Sequence, residues 1–313
     1  MRYCLKGLEP LANNESQWHV ACAKKFFNIP EPPKVELSEN LVDALAFKGS
    51  LQGVNVTGVQ RKLSLGQDTI DQKRLTLVDY PAGYILKVQS PDYNQLPEFE
   101  SIAMHLAEKG QIRCVEHGLL RSEEGSLAYI TKRLDRRYHR GEVEKLYMED
   151  FCQLSGRLTE DKYRGSYEQC AKVVENYSDR SLLDLATLFY LILFSFVIGN
   201  SDMHLKNFSL YSPDSKKIVL APAYDMLPVS LIVEDEDEMA LTLLGKRSKL
   251  KGSDFIELAS RFSLSPKVAP RLIKRLLSLE ETFTQYIGRS FLEEEQKGAM
   301  VGLIRERLKR LTS

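Results

Sequence analysis

The sequence predicts an α+β fold in two lobes, a small β-rich amino-terminal lobe and a larger helical carboxy-terminal one. Three observations carry this expectation. Glycines recur at Gly49, Gly53, Gly58 and Gly66 among β-forming residues, the punctuation of short strands. Beyond about residue 140 the apolar residues recur mostly at helical spacing instead. At 313 residues the chain is long enough to bury a full core without disulfide staples.

Composition narrows the function classes. Hydrophobic residues are 43% and charged residues 27%, near the average for soluble globular chains and far from disordered or fibrous extremes. Forty-three basic against 43 acidic side chains leave no global positive field, so neither nucleic acid nor an anionic membrane is expected as a direct partner. Cys4, Cys22, Cys114, Cys152 and Cys170 are odd in number and widely spaced with no C-x-x-C pair. Neither a disulfide framework nor a zinc site is expected, and a reducing, cytoplasmic setting fits. The start, MRYCLKGLEP, lacks the apolar core of a signal peptide, although export without a cleavable signal stays open. The most apolar stretch, Leu185 to Ile198, contains Thr187 and Ser195 and falls short of the roughly 20 residues that span a bilayer. It reads as a buried helix.

The elements follow in order. Residues 1–47 form an adaptor segment, with a helix around Trp18 to Phe27 that breaks at Pro30, Pro32 and Pro33. Residues 48–131 form the amino-terminal lobe, with strands at Leu75 to Val78 and Tyr84 to Val88 joined by Pro81-Ala82-Gly83. A helix then opens at Pro97, repeats Phe99, Ile102, Ala103 and Leu106 on one face, and stops at Gly110. Leu127 to Thr131 is a further strand. Residues 132–313 form the helical lobe, with an apolar helix over 182–198, two short strands near Phe208 to Tyr211 and Lys217 to Leu220, and a last helix from about Glu293 to Leu311.

Residues 198–227, IGNSDMHLKNFSLYSPDSKKIVLAPAYDML, concentrate the candidate chemistry. Asp202 and Asn207 stand at the D-x-x-x-x-N interval found in the catalytic loop of protein kinases, where the Asp takes the acceptor hydroxyl proton and the Asn holds Mg²⁺. A hairpin turning at Ser212-Pro213-Asp214 then returns the chain to Asp225, which places this second acid beside Asn207. Mg²⁺ takes hard oxygen ligands and needs only one or two from protein, which Asn207 and Asp225 supply. Asp202 is left as general base, and Lys206 steadies the transferring phosphoryl group. The bland alternative for Asp202 and Asn207 is a cap and a turn.

The amino-terminal half supplies nucleotide contacts. Gly53, Val54, Asn55, Val56, Thr57 and Gly58 form a loop whose glycines let backbone N–H groups approach phosphates. It is not a Walker A loop, because Gly58 is followed by Val59. Lys87 lies in an apolar strand and must find an anion there, either phosphate or a helix carboxylate such as Glu100. The bland readings are an outward-facing strand lysine and a glutamate favouring its helix dipole.

In these segments the chain resembles the HipA-like serine/threonine kinases of bacterial toxin-antitoxin systems. The resemblance is carried by GVQRKLSL (58–65), ILKV (85–88), KRLDRR (132–137), EDFCQ (149–153), IGNSDMHLKNFSL (198–210) and LAPAYDML (220–227), and covers roughly residues 45–230. It implies a two-lobed protein-kinase-like fold, use of ATP and Mg²⁺, and transfer of phosphate to serine or threonine. It assigns Lys87 to the nucleotide phosphates, Asp202 to catalysis, Asn207 and Asp225 to metal, and Thr131, Lys132, Arg133 and Leu134 to a hinge that meets adenine. His204 is grouped with the ATP-binding residues, its bland reading being packing within the loop. The chain looks like the short HipT form, which implies a small HipS-like protein and a DNA-binding HipB-like antitoxin as partners, and an aminoacyl-tRNA synthetase as substrate. Family members autophosphorylate in the glycine-rich loop, and Thr57 is the hydroxyl available here, since Asn55 cannot accept phosphate.

Two rival readings share these residues: a catalytically inactive pseudokinase acting as an interaction module, and a small-molecule kinase of related architecture. The intact set Lys87, Asp202, Asn207 and Asp225 speaks against the first. Several other features are set aside. The acidic run Glu234 to Glu238 is expected to be a solvated face, the basic cluster from Lys132 to Arg140 to pair with acids such as Asp135, and Trp18 to fill core space. His19, His105, His117 and His139 are scattered without a metal-ligand pattern.

Overall fold

A computed structural model of the chain describes residues 2–13, 17–34, 62–67, 75–77, 83–122, 125–139, 142–233 and 237–313. The expected glycine-rich loop, Gly53 to Gly58, lies outside the described residues. The described chain divides into two compact units. One comprises Met1–Ile102, Val115–Val143 and Arg289–Leu292, and the other Ala103–Cys114, Glu144–Gly288 and Glu293–Ser313.

The first unit is built on strands whose apolar residues alternate or run continuously. In β1 (Lys62–Gln67) the buried Leu63 and Leu65 flank the half-buried Ser64, the period of a strand with one covered face. β2 (Leu75–Leu77), β3 (Tyr84–Lys87), β4 (His117–Arg121) and β5 (Leu127–Lys132) complete an antiparallel sheet in the order β2-β1-β3-β5-β4. β2 and β3, read as successive strands across Pro81-Ala82-Gly83, are not neighbours: each pairs with β1, which lies between them. β5 is buried from Leu127 through Thr131, as a near-continuous apolar run bounded on both edges by partners should be. Strands β6 (Arg136–His139) and β7 (Glu142–Lys145) form a separate two-stranded ribbon. The first unit therefore continues to Val143, past the boundary after residue 131 that the sequence suggests.

The amino-terminal segment belongs to this unit and is seated by aromatic packing. The helix Val20–Phe27 buries Phe26 and Phe27 against Trp18 and Tyr84, with ring centroids 4.6–5.8 Å apart. Trp18 is 2% exposed and donates its indole N–H to the Leu119 carbonyl at 2.9 Å. Its ring occupies the space above Gly118, where a Cβ would meet it at 2.8 Å.

The second unit is mainly helical, with helices at Tyr167–Tyr177, Ser181–Ile198, Gly252–Arg261, Val268–Leu277, Glu280–Arg289 and Glu294–Arg310. Ser181–Ile198 has a mean hydropathy of 2.2, and 72% of it is buried inside the protein. A helix apolar on all sides must be enclosed, and Phe189, Phe194 and Phe196 meet Phe262, Phe283 and Phe255 around it. Gly199 ends it with φ 75°, a left-handed conformation that favours glycine. At the acidic run, Glu238 is no solvated carboxylate. Burial raises its pKa, but the Arg310 guanidinium at 2.7 Å, the Leu250 N–H and Arg307 outweigh that and hold it below the usual carboxylate range. The run thus ends as an anchor for the last helix.

Candidate active site

The sheet of the second unit is a device for presenting one loop. β8 (Met148–Asp150) pairs with β9 (Ser209–Tyr211), which pairs with β10 (Val219–Leu220), all antiparallel. Asp150 therefore stands opposite Ser209, and Leu220 opposite Leu210. Asp184, fully buried on the apolar helix, accepts from the Leu220 N–H at 2.7 Å and from the Ser178 hydroxyl at 2.6 Å. With Arg180 2.9 Å from its other oxygen, this carboxylate locks the hairpin to the helix that precedes the loop.

Between helix and hairpin, residues 200–208 fold back on themselves. The Asn200 side-chain oxygen accepts from the Asp202 N–H at 3.3 Å, and the His204 N–H returns to the Asp202 carbonyl at 2.8 Å. Asn207 donates its side-chain N–H to the same carbonyl at 2.8 Å. That bond orients the amide: with Nδ2 committed, Oδ1 is the atom left to accept. Among the described residues nothing donates to it, although Asn207 is only 6% exposed. The Asp202 carboxylate is different in character. Its side chain is 44% exposed, it accepts a short hydrogen bond from the Tyr163 hydroxyl, and His204 Nε2 lies 3.9 Å from it.

Asp225 is brought to the same loop from the far end of the hairpin. The Ala223 N–H donates to the Arg113 carbonyl at 2.8 Å and Tyr224 donates to the Lys206 carbonyl at 3.2 Å. Tyr224 also meets Ser209 Oγ at 2.5 Å. Just after these two anchored residues, Asp225 adopts φ 56°, a left-handed conformation uncommon for residues other than glycine and enriched for Asp at constrained positions. His204 senses both acids. Burial pushes its imidazole below the ordinary value, while Asp202 and Asp225 pull the other way, so it stays a neutral ring wedged edge-on against Tyr163.

Asp202, His204, Lys206, Asn207 and Asp225 thus share one loop and hairpin. Lys206 is already engaged: its ammonium lies 2.7 Å from Asp150, the cap of the short helix Phe151–Leu154. Asp150 lies in the EDFCQ segment without an assigned role in the sequence reading, yet its spacing to Gln153 is a capping-box signature and the two close that box. Tyr163, Tyr224 and Asp184 carried no comparable signal.

In the first unit, Lys87 and Glu100 meet at 2.5 Å with 5% and 2% of their side chains exposed. Lys87 also lies over the Tyr129 ring at 5.4 Å. Thr131 and Lys132 both bond the Glu116 carbonyl, through a hydroxyl and a backbone N–H at 3.0 and 2.9 Å. The Arg133 N–H goes to the Gly83 carbonyl at 2.9 Å, and its guanidinium forks onto Asp135. Leu134 sits in the turn that follows, half-buried. The basic cluster is thus partly spent on Asp135, which Arg136 also contacts.

The oxygen donors suit a hard cation. A side-chain amide oxygen with no donor among the described residues, together with one carboxylate such as that of Asp225, is the minimal protein share of a Mg²⁺ shell.

Comparison with known proteins agrees with this architecture. The chain is 25% identical over 341 aligned positions to a Haemophilus influenzae protein named "Putative kinase", covering 98% of this chain and 97% of that one. It is 32% identical to "Putative kinase Y4dM" of Sinorhizobium fredii over 68% of this chain and 55% of that protein. Among solved structures, HipA in a Shewanella oneidensis complex of HipA, HipB and operator DNA superposes with a TM-score of 0.69 at 20% identity, covering 82% of this chain and 64% of that one. The Helicobacter pylori proinflammatory kinase CtkA superposes with a TM-score of 0.54 at 15% identity, covering 76% and 88%. These likenesses establish a kinase-like fold. The HipA-like C-terminal domain model matches residues 54–283, which include Lys87, Glu100, Asp202, Asn207 and Asp225, and the chain therefore belongs to the HipA-like C-terminal domain family.

Proposed function

We propose that the protein is an ATP- and Mg²⁺-dependent serine/threonine protein kinase of the short HipT form, the toxin of a HipBST-like system. The observation that carries this reading is the loop geometry: Asn207 donates to the backbone carbonyl of Asp202, while the Asp202 carboxylate stays accessible. A general base needs an exposed acceptor held in register, and an amide tied down through its nitrogen keeps its oxygen free for metal.

Asp202 orients the acceptor hydroxyl and takes its proton as the oxygen attacks. Tyr163, already donating to Asp202, sets the angle of that carboxylate. Asn207 and Asp225 would hold Mg²⁺, which when bound would supply neutralising charge to the phosphates. Lys87, positioned by Glu100, grips the nucleotide phosphates, and the backbone of residues 131–134 meets the adenine. Lys206 steadies the phosphoryl group, exchanging its contact with Asp150 to do so. Phosphoryl transfer asks the protein for positioning and electrostatics more than for covalent chemistry, which suits this set.

The acceptor we favour is an aminoacyl-tRNA synthetase, so that phosphorylation inhibits translation in the cytoplasm. A HipS-like protein and a HipB-like antitoxin are the partners, the second supported by the HipB complex of the Shewanella neighbour. Thr57, in the loop outside the described residues, is the autophosphorylation site.

The test is a radiolabelled-ATP assay on the purified chain, with phosphosite mapping by mass spectrometry. Asp202→Ala is expected to lower turnover by at least the roughly 10²- to 10⁴-fold attributed to general-base catalysis while ATP binding persists. Asp225→Ala is expected to lose Mg²⁺-dependent binding as well. Full activity in purified Asp202→Ala would overturn the assignment, and phosphate found only away from Thr57 would remove that site.

A further inference from the structure

The amino-terminal segment gathers three metal-ligating side chains that neither the kinase reading nor the cysteine spacing predicts. Cys4 sits at the start of a tight turn closed by the Leu8 N–H on the Cys4 carbonyl at 3.0 Å. His19 caps the helix Val20–Phe27, and Cys22, three residues on, shares its face. The Leu5 N–H on the Gln17 carbonyl at 2.9 Å draws the two stretches together. As a result the sulfurs of Cys4 and Cys22 and a ring nitrogen of His19 all lie within 4.8 Å of one another.

From this geometry we propose that Cys4, His19 and Cys22 form a Zn²⁺ site of the Cys₂His class, which staples the amino-terminal segment to its helix. Tetrahedral zinc with sulfur at about 2.3 Å and nitrogen at about 2.0 Å separates neighbouring ligand atoms by roughly 3.6 Å. Cys22 Sγ and His19 Nδ1 are already 3.9 Å apart. The imidazole is also oriented for ligation through Nδ1. Its Nε2 lies 3.0 Å from the Pro10 carbonyl, which can only accept, so Nε2–H is the donor there and Nδ1 is the ring nitrogen that faces Cys22. A backbone carbonyl behind the far ring nitrogen is the usual outer support of a ligating histidine. The His19 N–H donates to Cys4 Sγ at 3.4 Å, which orients that sulfur. Both sulfurs bind as thiolates, so any thiol proton still carried by the pair is released to solvent on binding. Cys4 is fully buried and Cys22 half-buried, so the cluster keeps one side open to an entering ion.

Gly7 marks the fourth corner. It stands three residues after Cys4, the C-x-x-C interval of zinc knuckles with glycine in the second place. A Cβ built there would lie 3.9 Å from Cys22 Sγ and meet nothing else within 4 Å. With glycine present, water or an exogenous ligand completes the shell.

The experiment uses the full chain, reduced and stripped with a chelator, titrated with Co²⁺ and then Zn²⁺. One equivalent of Co²⁺ is expected to give tetrahedral ligand-field bands and a thiolate-to-cobalt charge-transfer band, both abolished by Zn²⁺. An oxygen site such as Asn207 with Asp225 yields no thiolate band, so the two sites are told apart. Cys22→Ser, at a half-buried position, is expected to lower Zn²⁺ affinity by more than the 10- to 100-fold typical of losing an outer-shell partner. Gly7→Cys is expected to raise it, because a Cβ there meets only Cys22 Sγ and brings a third thiol to the cluster. A reduced wild-type chain with no charge-transfer band overturns the proposal, as does an unchanged band in Cys22→Ser or a Gly7→Cys chain that binds no more tightly.

Discussion

Removing Lys87 tests whether the buried Lys87–Glu100 pair is a structural strut or a functional device. Two unit charges 2.5 Å apart attract by about 7 kcal/mol at an effective dielectric constant of about 20. Burial at 5% and 2% exposure costs several kcal/mol for each ion, so the intact pair is near break-even against apolar replacements. The single variant Lys87→Met strands Glu100 and is expected to cost about 3–5 kcal/mol. The double variant Lys87→Met with Glu100→Leu is expected to lie within about 1–2 kcal/mol of wild type, far from additive. The chain's single tryptophan, Trp18, is buried in the same unit, so urea unfolding followed by its fluorescence reports on this unit rather than on the helical one. The reasoning is refuted if Lys87→Met costs under about 1 kcal/mol or if the two single effects simply add. The double variant carries a second readout: a folded chain that has lost ATP binding assigns Lys87 to the nucleotide.

Three further outcomes follow from the same geometry. Asp184→Ala orphans the buried Leu220 N–H and is expected to cost about 1–3 kcal/mol, with faster amide exchange at Leu220; unchanged protection there would contradict its role as the hairpin lock. Gly199→Ala forces a side chain onto φ 75° and sets a Cβ 2.5 Å from Leu303, so urea unfolding is expected to show a loss of more than the 1–2 kcal/mol of the backbone strain alone. His204 gives a pH dependence. Burial lowers its folded pKa below the ordinary 6.5, so beneath that value the unfolded chain binds a proton that the folded chain refuses. Stability therefore falls as pH drops through that range, by at most about 1.4 kcal/mol per pH unit, and His204→Gln is expected to flatten that slope in urea titrations from pH 7.5 to 5.

What the sequence determined by itself was local or periodic. The all-round apolar run announced a core helix, the helix of residues 96–109 was bounded by its proline and glycine, and the D-x-x-x-x-N interval with a following hairpin located the loop that holds Asp202 and Asn207 and the hairpin that leads to Asp225. These signals survive in one dimension because they depend on neighbours within a few positions. Only the tertiary structure decided which distant groups meet. It paired β2 and β3 with β1 instead of with each other, committed Lys206 to Asp150, set Tyr163 on Asp202, and gave Glu238 to Arg310. It also closed the loop between Cys4 and His19, which linear spacing had treated as scattered. Such contacts are decided by how chain segments are folded back and packed. No residue-to-residue interval encodes that, because the free energy that selects each partner comes from burial shared across the whole unit.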